Sequence, residues 1–269
     1  MDGRTLQTIA LRLEYDGAAF AGSQLQANAP TVQGALEEAL ARLTGGVVRA
    51  RLAGRTDAGV HALGQVAAVE LPERWQPDTL QRALNALLPE ELSVTGAVVA
   101  PPGFDPRRHA LWRRYRYTLL TTPWRSPLWR RYAWHVGEAL DRDAMRAVLA
   151  LLEGEHDFAA FSGPVKDGAS TVRCMHAVSL CEEDARIVLE FVANAFLPHQ
   201  VRRTVGQLVE VGRGRETVEG FAALLRAARP GSAGPAAPPH GLCLVEVAYR
   251  DVSFAPLVAA ARMGVGCTR

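Results

Sequence analysis

Lysine is almost absent from this chain of 269 residues: Lys166 is the only one, so arginine supplies 29 of the 30 basic residues. The formal net charge is only +2, which excludes a strongly polycationic protein. The arginines nevertheless cluster, and their planar guanidinium groups suit phosphates and can stack on bases. The clusters lie at residues 107–108, 113–116, 130–131 and 202–203. These clusters predict one basic face of the protein. The scarcity of lysine itself is also explained by a compositional bias of the genome.

Cysteine and long apolar runs are also scarce. The four cysteines form no CxxC pair and no zinc-like spacing with histidine, so we expect reduced thiols in a cytoplasmic protein. No apolar run is long enough to span a bilayer, and the opening segment MDGRTLQTIA lacks the regions of a signal peptide. The sequence therefore predicts a cytoplasmic protein with no membrane partner. Its length allows one large domain or two of ordinary size.

The first hundred residues follow the order strand, helix, strand, strand, helix, strand. The first strand alternates apolar and polar residues, and the first helix has Thr31 as N-cap and Gly45 beyond its end. A short strand is expected over 47–52. The segments are TIALRLEYDG, TVQGALEEALARLTGG, ALGQVAAVEL, PDTLQRALNALLP and LSVTGAVVA. This order is that of the ferredoxin-like split βαβ unit.

The second half looks like an elaborated version of the first. RRYRYTLL reads as a strand, and DRDAMRAVLALLEG as a helix opened by Asp141 and closed by Gly154. A strand pair turning at Glu183 and Asp184 precedes two helices, a Pro- and Gly-rich loop and the last strand, LCLVEVAYR. The prediction is an α+β fold of two ferredoxin-like (RRM-like) halves, at 1–103 and 104–269, joined through a mostly antiparallel sheet.

The segment AGRTDAGVHALGQ, residues 53–65, concentrates charged and flexible residues between two strands. One interpretation is a hairpin with a charged tip, in which Asp57 only forms the turn. The other is that Asp57 does chemistry and Arg55 helps to place it. Gly54 and Gly59 would allow a tight turn in either case.

This segment resembles the active-site motif of the TruA-type tRNA pseudouridine synthases. Further segments resemble this family in the order in which they occur and cover almost the whole chain. They are EYDGAAFAGSQLQ, TVQGALEEAL, LNALLP, FDPRRHALWRRYRYTL, HDFAAFSG, ANAFLPHQVRRTVGQLVEVG and APPHGLCLVEVAY.

The resemblance implies an isomerase that converts uridine to pseudouridine at positions 38, 39 and 40 in the anticodon stem-loop of tRNA. The glycosidic bond breaks, the uracil turns, and C5 rejoins the ribose. The resemblance also implies the pseudouridine synthase fold with an active-site cleft between its halves, a homodimer, and no cofactor or metal.

Three residues match catalytic positions of the family. Asp57 matches the aspartate, which would either attack C1′ of the ribose or stabilise the cation there and remove a sugar proton. Arg202 matches the arginine that pairs with this aspartate, and a nearby cation favours an ionised carboxylate. Tyr115 matches the tyrosine that stacks on the target uracil, whereas Tyr117 is the better candidate for a tyrosine of the sheet core.

Six further residues are predicted to contact the RNA. Arg55 matches an arginine of the flipped-base site and would fill the space that the uridine leaves. Leu244 would form an apolar wall, and His61 is a hydrogen-bond partner more readily than a general base. The remaining three belong to the arginine clusters: Arg107, Arg113 and Arg114.

Two positions depart from the family pattern. Ser23 stands where the family usually has tryptophan, and Gln200 where it often has methionine, which puts local packing and RNA docking in doubt. A non-catalytic RNA-binding protein on the same scaffold is one alternative function. A hydrolase using Asp57 and His61 is another, but the sequence offers no obvious second carboxylate or metal cluster for it.

Overall fold

The computed structural model describes residues 5–255, which divide into two compact units. The first unit contains 5–111 and 244–255, and the second contains 112–243. Both contain helices and strands, and almost all strand pairs are antiparallel, which confirms the predicted α+β class. Within the described residues, no helix has the length and apolar character needed to cross a membrane.

The first unit has the predicted βαββαβ order. Its elements are β1 (Leu6–Tyr15), α1 (Val32–Thr44), β2 (Arg51–Leu52), β3 (His61–Pro72), α2 (Pro77–Asn85) and β4 (Leu92–Ala100). β1 lies between β3 and β4, and β2 pairs with β3, with every pairing antiparallel. The short strand expected over 47–52 is reduced to two residues.

The ends of α1 follow from its sequence. The hydroxyl of Thr31 accepts a hydrogen bond from the N–H of Gly34 at 3.1 Å, so it caps the first turn. Gly45 ends the helix with φ of 75°, in the left-handed region that glycine adopts without a steric penalty. Both predictions for this helix are confirmed.

The second unit contains further strands and α-helices. Those that lie wholly within it are β5 (Trp112–Leu120), β6 (Trp134–His135), α3 (Arg142–Ala150), β7 (Gly154–Asp157), β8 (Val172–Glu183), β9 (Arg186–Ala193), α4 (Gln200–Gly212) and α5 (Val218–Ala227). The strands run in the order β5, β9, β8, β7 with antiparallel pairing, and β6 runs parallel to β5. Fully buried phenylalanines, among them Phe158, Phe161 and Phe221, form its core.

The second unit differs from the sequence prediction around Gly154. Gly154 does not close α3, which ends at Ala150; with φ of 96° it begins β7, a strand that was not predicted. The turn after β8 is confirmed, and Asp184 takes a left-handed backbone with φ of 54°.

The last strand, β10 (Leu242–Ala248), begins in the second unit and belongs to the first unit from Leu244 onward. There it lies beside β3, where a Cβ added to Gly64 would collide with the carbonyl oxygen of Val245. Only glycine permits so close an approach of two backbones.

The prediction of reduced thiols holds for two cysteines and is wrong for one. Cys174 and Cys243 have reduced thiols, whereas Cys181 is disulfide-bonded. Spacing gives no sign of this bond, since none of the four cysteines belongs to a CxxC pair. Cys267 lies outside the described residues.

Candidate active site

The segment 53–60 leads from β2 into β3 as a loop whose backbone is anchored by buried side chains. The N–H of Thr56 donates to Oγ of Ser23 at 2.8 Å, and the hydroxyls of Thr56 and Tyr15 lie 2.8 Å apart. Nε2 of Gln65 donates to the carbonyl of Gly54 at 2.9 Å. The loop is therefore fixed on both sides of Arg55.

The candidate functional residues of this loop alternate with the anchored ones. Arg55 is exposed, Thr56 is buried, and Asp57 is half-buried. The N–H of Val60 donates to the carbonyl of Asp57 at 3.1 Å, and Gly59 has φ of 80°, so the chain turns tightly just after the aspartate. The tight turn uses Gly59 as predicted, whereas Gly54 has no left-handed backbone.

His61 lies at the start of β3 with only 6% of its surface exposed. Its Nδ1 is 3.0 Å from the N–H of Gly17 and 3.1 Å from a carboxylate oxygen of Asp16. Nδ1 can accept from Gly17 only when it carries no proton and can donate to Asp16 only when it does. These contacts link His61 to the turn after β1, and its proposed contact with RNA stays a prediction.

Leu244 is a buried residue of β10, with 1% of its surface exposed. Arg107 is exposed and lies in a turn of the first unit, after β4. Its N–H donates to the carboxylate of Asp105 at 2.8 Å, and the N–H of Arg108 does so at 3.0 Å. The carboxylate thus holds the turn that displays both arginines.

The pKa of Asp105 lies below its ordinary value. Burial acts to raise the pKa, but the N–H groups of Arg108 and Arg107 and the charges of Arg108 and Arg51 outweigh it. A lowered folded-state pKa contributes stability above the unfolded value of 3.8, and this contribution is lost as the pH falls through the folded value.

We expect Asp105→Asn to lower the free energy of unfolding at pH 7 by less than about 1 kcal/mol. The difference from the wild type should shrink as the pH falls below 3.8 and vanish below the folded-state pKa of Asp105. Urea unfolding at neutral and acid pH measures it. The exposed Asp167→Asn is the matched control and should show no such pH dependence. A difference for Asp105→Asn that persisted in acid would contradict the assigned cause.

The second unit contains the remaining predicted site residues. Tyr115 lies on β5 with 7% of its surface exposed, and its ring packs edge-on against Phe196 with centroids 5.0 Å apart. Tyr117, two residues on, is fully buried, and its hydroxyl donates to the carbonyl of Pro238 at 2.8 Å. Burial raises the pKa of Tyr117, against the opposing charge of Arg202. Tyr117 is therefore the sheet-core tyrosine, as predicted.

Arg202 lies in the first turn of α4 and is half-buried. Its Nε donates to the carbonyl of Ala237 at 2.8 Å, and the N–H of Ala237 donates to the carbonyl of Arg202 at 2.9 Å. Arg202 thus holds the loop before β10. Gln200, one of the two departures from the family pattern, is buried, and its Oε1 accepts from the N–H of Leu197 at 2.8 Å.

The arginines of β5 have unequal roles. Arg116 is paired with Glu190 at 2.7 Å, whereas Arg114 lies over the ring of Trp112 at 5.5 Å. Nη1 of Arg113 donates to the carbonyl of Asn194 at 2.8 Å. Burial lowers the pKa of Arg173, and the charge of Arg113 lowers it further. Two neighbouring like charges favour an anion, and sequence reasoning missed Arg173 because it lies outside the arginine clusters.

Within residues 5–255, no group of three or more histidine, cysteine or acidic side chains is arranged to hold a metal ion. An anchored loop carrying an aspartate suits catalysis, and arginines on strands and turns of an α+β fold suit an anionic substrate such as RNA.

Comparison with known proteins identifies the family. A family model described as tRNA pseudouridine synthase matches residues 13–105 and 148–250. The chain is 43% identical to tRNA pseudouridine synthase A of Geobacter sp. (strain M21), over 91% of this chain and 100% of the relative. The Chloroflexus aurantiacus enzyme is 47% identical, over 91% and 89% of the two chains, and the Roseiflexus castenholzii enzyme 44%, over 98% and 99%. The chain belongs to the tRNA pseudouridine synthase family.

Proposed function

We propose that this protein is an isomerase that converts uridine to pseudouridine at positions 38, 39 and 40 in the anticodon stem-loop of tRNA. The observation that carries the proposal is the loop 54–57, in which buried side chains anchor the backbone on both sides of Arg55 and next to Asp57. Binding alone would not require the backbone next to an aspartate to be anchored by buried side chains.

The reaction rearranges atoms without a net gain or loss. The N1–C1′ bond of uridine breaks, the uracil turns, and a C5–C1′ bond forms; C5 loses a proton and N1 gains one. Positive charge develops at C1′ when the first bond breaks. The carboxylate of Asp57 either attacks C1′ or stabilises this cation and removes a sugar proton.

The other site residues act on the base or pair with Asp57. Arg202 forms an ion pair with the carboxylate of Asp57. Tyr115 provides an aromatic face for the detached uracil, and Leu244 an apolar wall. Arg55 fills the space that the flipped uridine leaves, and His61 is a hydrogen-bond partner of the RNA.

Arginines outside the loop bind the phosphates of the tRNA. The role of Arg107 is supported by its exposure. Arg113 and Arg114 on β5 and Arg173 on β8 belong to one sheet, in which β9 lies between the two strands, and the charge of Arg113 acts on Arg173. Because tRNA is the substrate, we place the protein in the cytoplasm. We also propose a homodimer, which light scattering on the purified protein tests directly: a monomer mass at working concentration would contradict it.

Affinity for tRNA is expected to fall steeply with salt, because bound phosphates release counterions. Arg173→Gln should lower the slope of log K against log[salt] by about one. Arg226→Gln, on an exposed position of α5, is the matched control and should leave the slope unchanged. If the affinity of the wild type did not change with salt, the arginines would not contact the phosphates of the tRNA.

Chemical mapping of pseudouridine tests the activity itself. Unmodified tRNA transcripts with uridines at positions 38, 39 and 40 are incubated with the wild type and mapped base by base. We expect pseudouridine at these three positions. Pseudouridine only in other parts of the tRNA would contradict the proposed position.

A further inference from the structure

Ser23 and Thr56 form a two-way bridge between the segment after β1 and the candidate catalytic loop. Oγ of Ser23 accepts from the N–H of Thr56 at 2.8 Å, and the N–H of Ser23 donates to the carbonyl of Thr56 at 3.1 Å. Ser23 is completely buried, so bulk water does not reach the Thr56 N–H to replace the hydroxyl as its acceptor. The peptide between Arg55 and Thr56 therefore depends on one side chain for its hydrogen bond.

The same bridge fixes the loop to α1. The carbonyl of Ser23 accepts from the N–H of Gln33 at 3.0 Å, and that of Gly22 accepts from Val32 at 3.3 Å. A Cβ on Gly22, whose φ is 107°, would lie 3.0 Å from the carbonyl oxygen of Thr56. Helix, segment and loop are thus joined by backbone hydrogen bonds and close packing.

We propose that Ser23 is a positioning residue for the isomerisation: its hydroxyl fixes the backbone next to Asp57 and so orients the carboxylate toward the ribose. The inference rests on the proposed function, in which Asp57 is the catalytic aspartate. It gives this chain's departure at residue 23 a specific role. Displacing a reacting group by about 1 Å can lower a rate roughly a hundredfold.

The test compares two hydroxyl deletions around the same helix end. Ser23→Ala removes the acceptor of the Thr56 N–H, while Thr31→Ala removes the cap of α1 without touching the loop. Both hydroxyls are buried, so both variants should lose some thermal stability. We expect only Ser23→Ala to lower kcat, by about 10- to 100-fold, with KM for tRNA changed less than threefold.

Ser23→Cys replaces the hydroxyl by a somewhat larger thiol that is a weaker acceptor, so its kcat should lie between those of the wild type and Ser23→Ala. It also carries the test if the alanine variant does not fold. Rates are measured on folded protein by tritium release from C5-labelled tRNA at saturating concentration.

The possible outcomes separate the two proposals. If the wild type releases no tritium, the proposed function fails. If the wild type is active but Ser23→Ala, or Ser23→Cys in its place, matches Thr31→Ala in kcat, the function stands and the positioning role of Ser23 is wrong. If the Ser23 variant raised KM for tRNA without lowering kcat, the positioning role would also be wrong, because Ser23 would then support binding of the tRNA.

Discussion

Pseudouridine formation by Asp57→Asn is expected to fall by about a thousandfold or more, while its affinity for tRNA stays close to that of the wild type. The amide has the size of the carboxylate, but it can neither attack C1′ nor accept a proton, and such groups contribute about 10²- to 10⁴-fold. Half-buried Asp57 accepts a backbone hydrogen bond through its carbonyl, which the variant keeps. Single-turnover kinetics and a filter-binding assay measure the two effects separately.

Asp78→Asn is the matched control for this prediction. Asp78 is an exposed aspartate in the first turn of α2, so its replacement should leave the rate unchanged. A near-wild-type rate for Asp57→Asn would show that the aspartate is only a turn former. If Asp57→Asn lost tRNA binding together with activity, the role of Asp57 would be to bind the tRNA and not to take part in the reaction.

Tyr115→Ala is expected to lower the single-turnover rate about 5- to 150-fold, whereas Tyr115→Phe should stay within about threefold of the wild type. Stacking of a base on an aromatic side chain contributes roughly 1–3 kcal/mol, which corresponds to this range. Phenylalanine keeps the ring and its edge-on packing against Phe196.

The phenylalanine variant therefore separates the ring from the hydroxyl. If Tyr115→Phe lost as much activity as Tyr115→Ala, the hydroxyl would be the functional group and the stacking role would be wrong. Circular dichroism melts identify any loss that comes from unfolding, because the alanine variant also removes packing from Phe196.

Local sequence signals predicted most of the larger elements. The cap of α1 by Thr31, its end at Gly45 and the strand LSVTGAVVA follow from residue preferences over a few positions, and the structure has them where expected. These signals are local, so one sequence is enough to read them. They also gave the βαββαβ order of the first unit.

Short elements and long-range bonds could not be predicted in the same way. β6 has two residues and β7 four, which is too short for a periodic pattern, and their pairing partners are distant in sequence. The disulfide of Cys181 has no spacing signature either. Such features depend on contacts between residues that are separated in sequence, and a local pattern does not encode these contacts.

The candidate site shows the same division. The motif around Asp57 is recognisable from its residues, whereas the departures at Ser23 and Gln200 carry no sign in the sequence of what they contact. Only the structure shows that each accepts a hydrogen bond from a backbone N–H: Ser23 from Thr56 and Gln200 from Leu197. Ser23 and Thr56 lie 33 residues apart, and Gln200 and Leu197 lie three apart. No sequence motif encodes the contact between Ser23 and Thr56.

Tritium release from tRNA labelled at C5 of uridine tests the central claim most directly, because C5 must lose its hydrogen when it bonds to C1′. We predict that the wild type releases one tritium for each pseudouridine mapped at positions 38, 39 and 40, and that Asp57→Asn releases tritium at least about a thousandfold more slowly. Wild-type protein that binds this tRNA without releasing tritium would contradict the account.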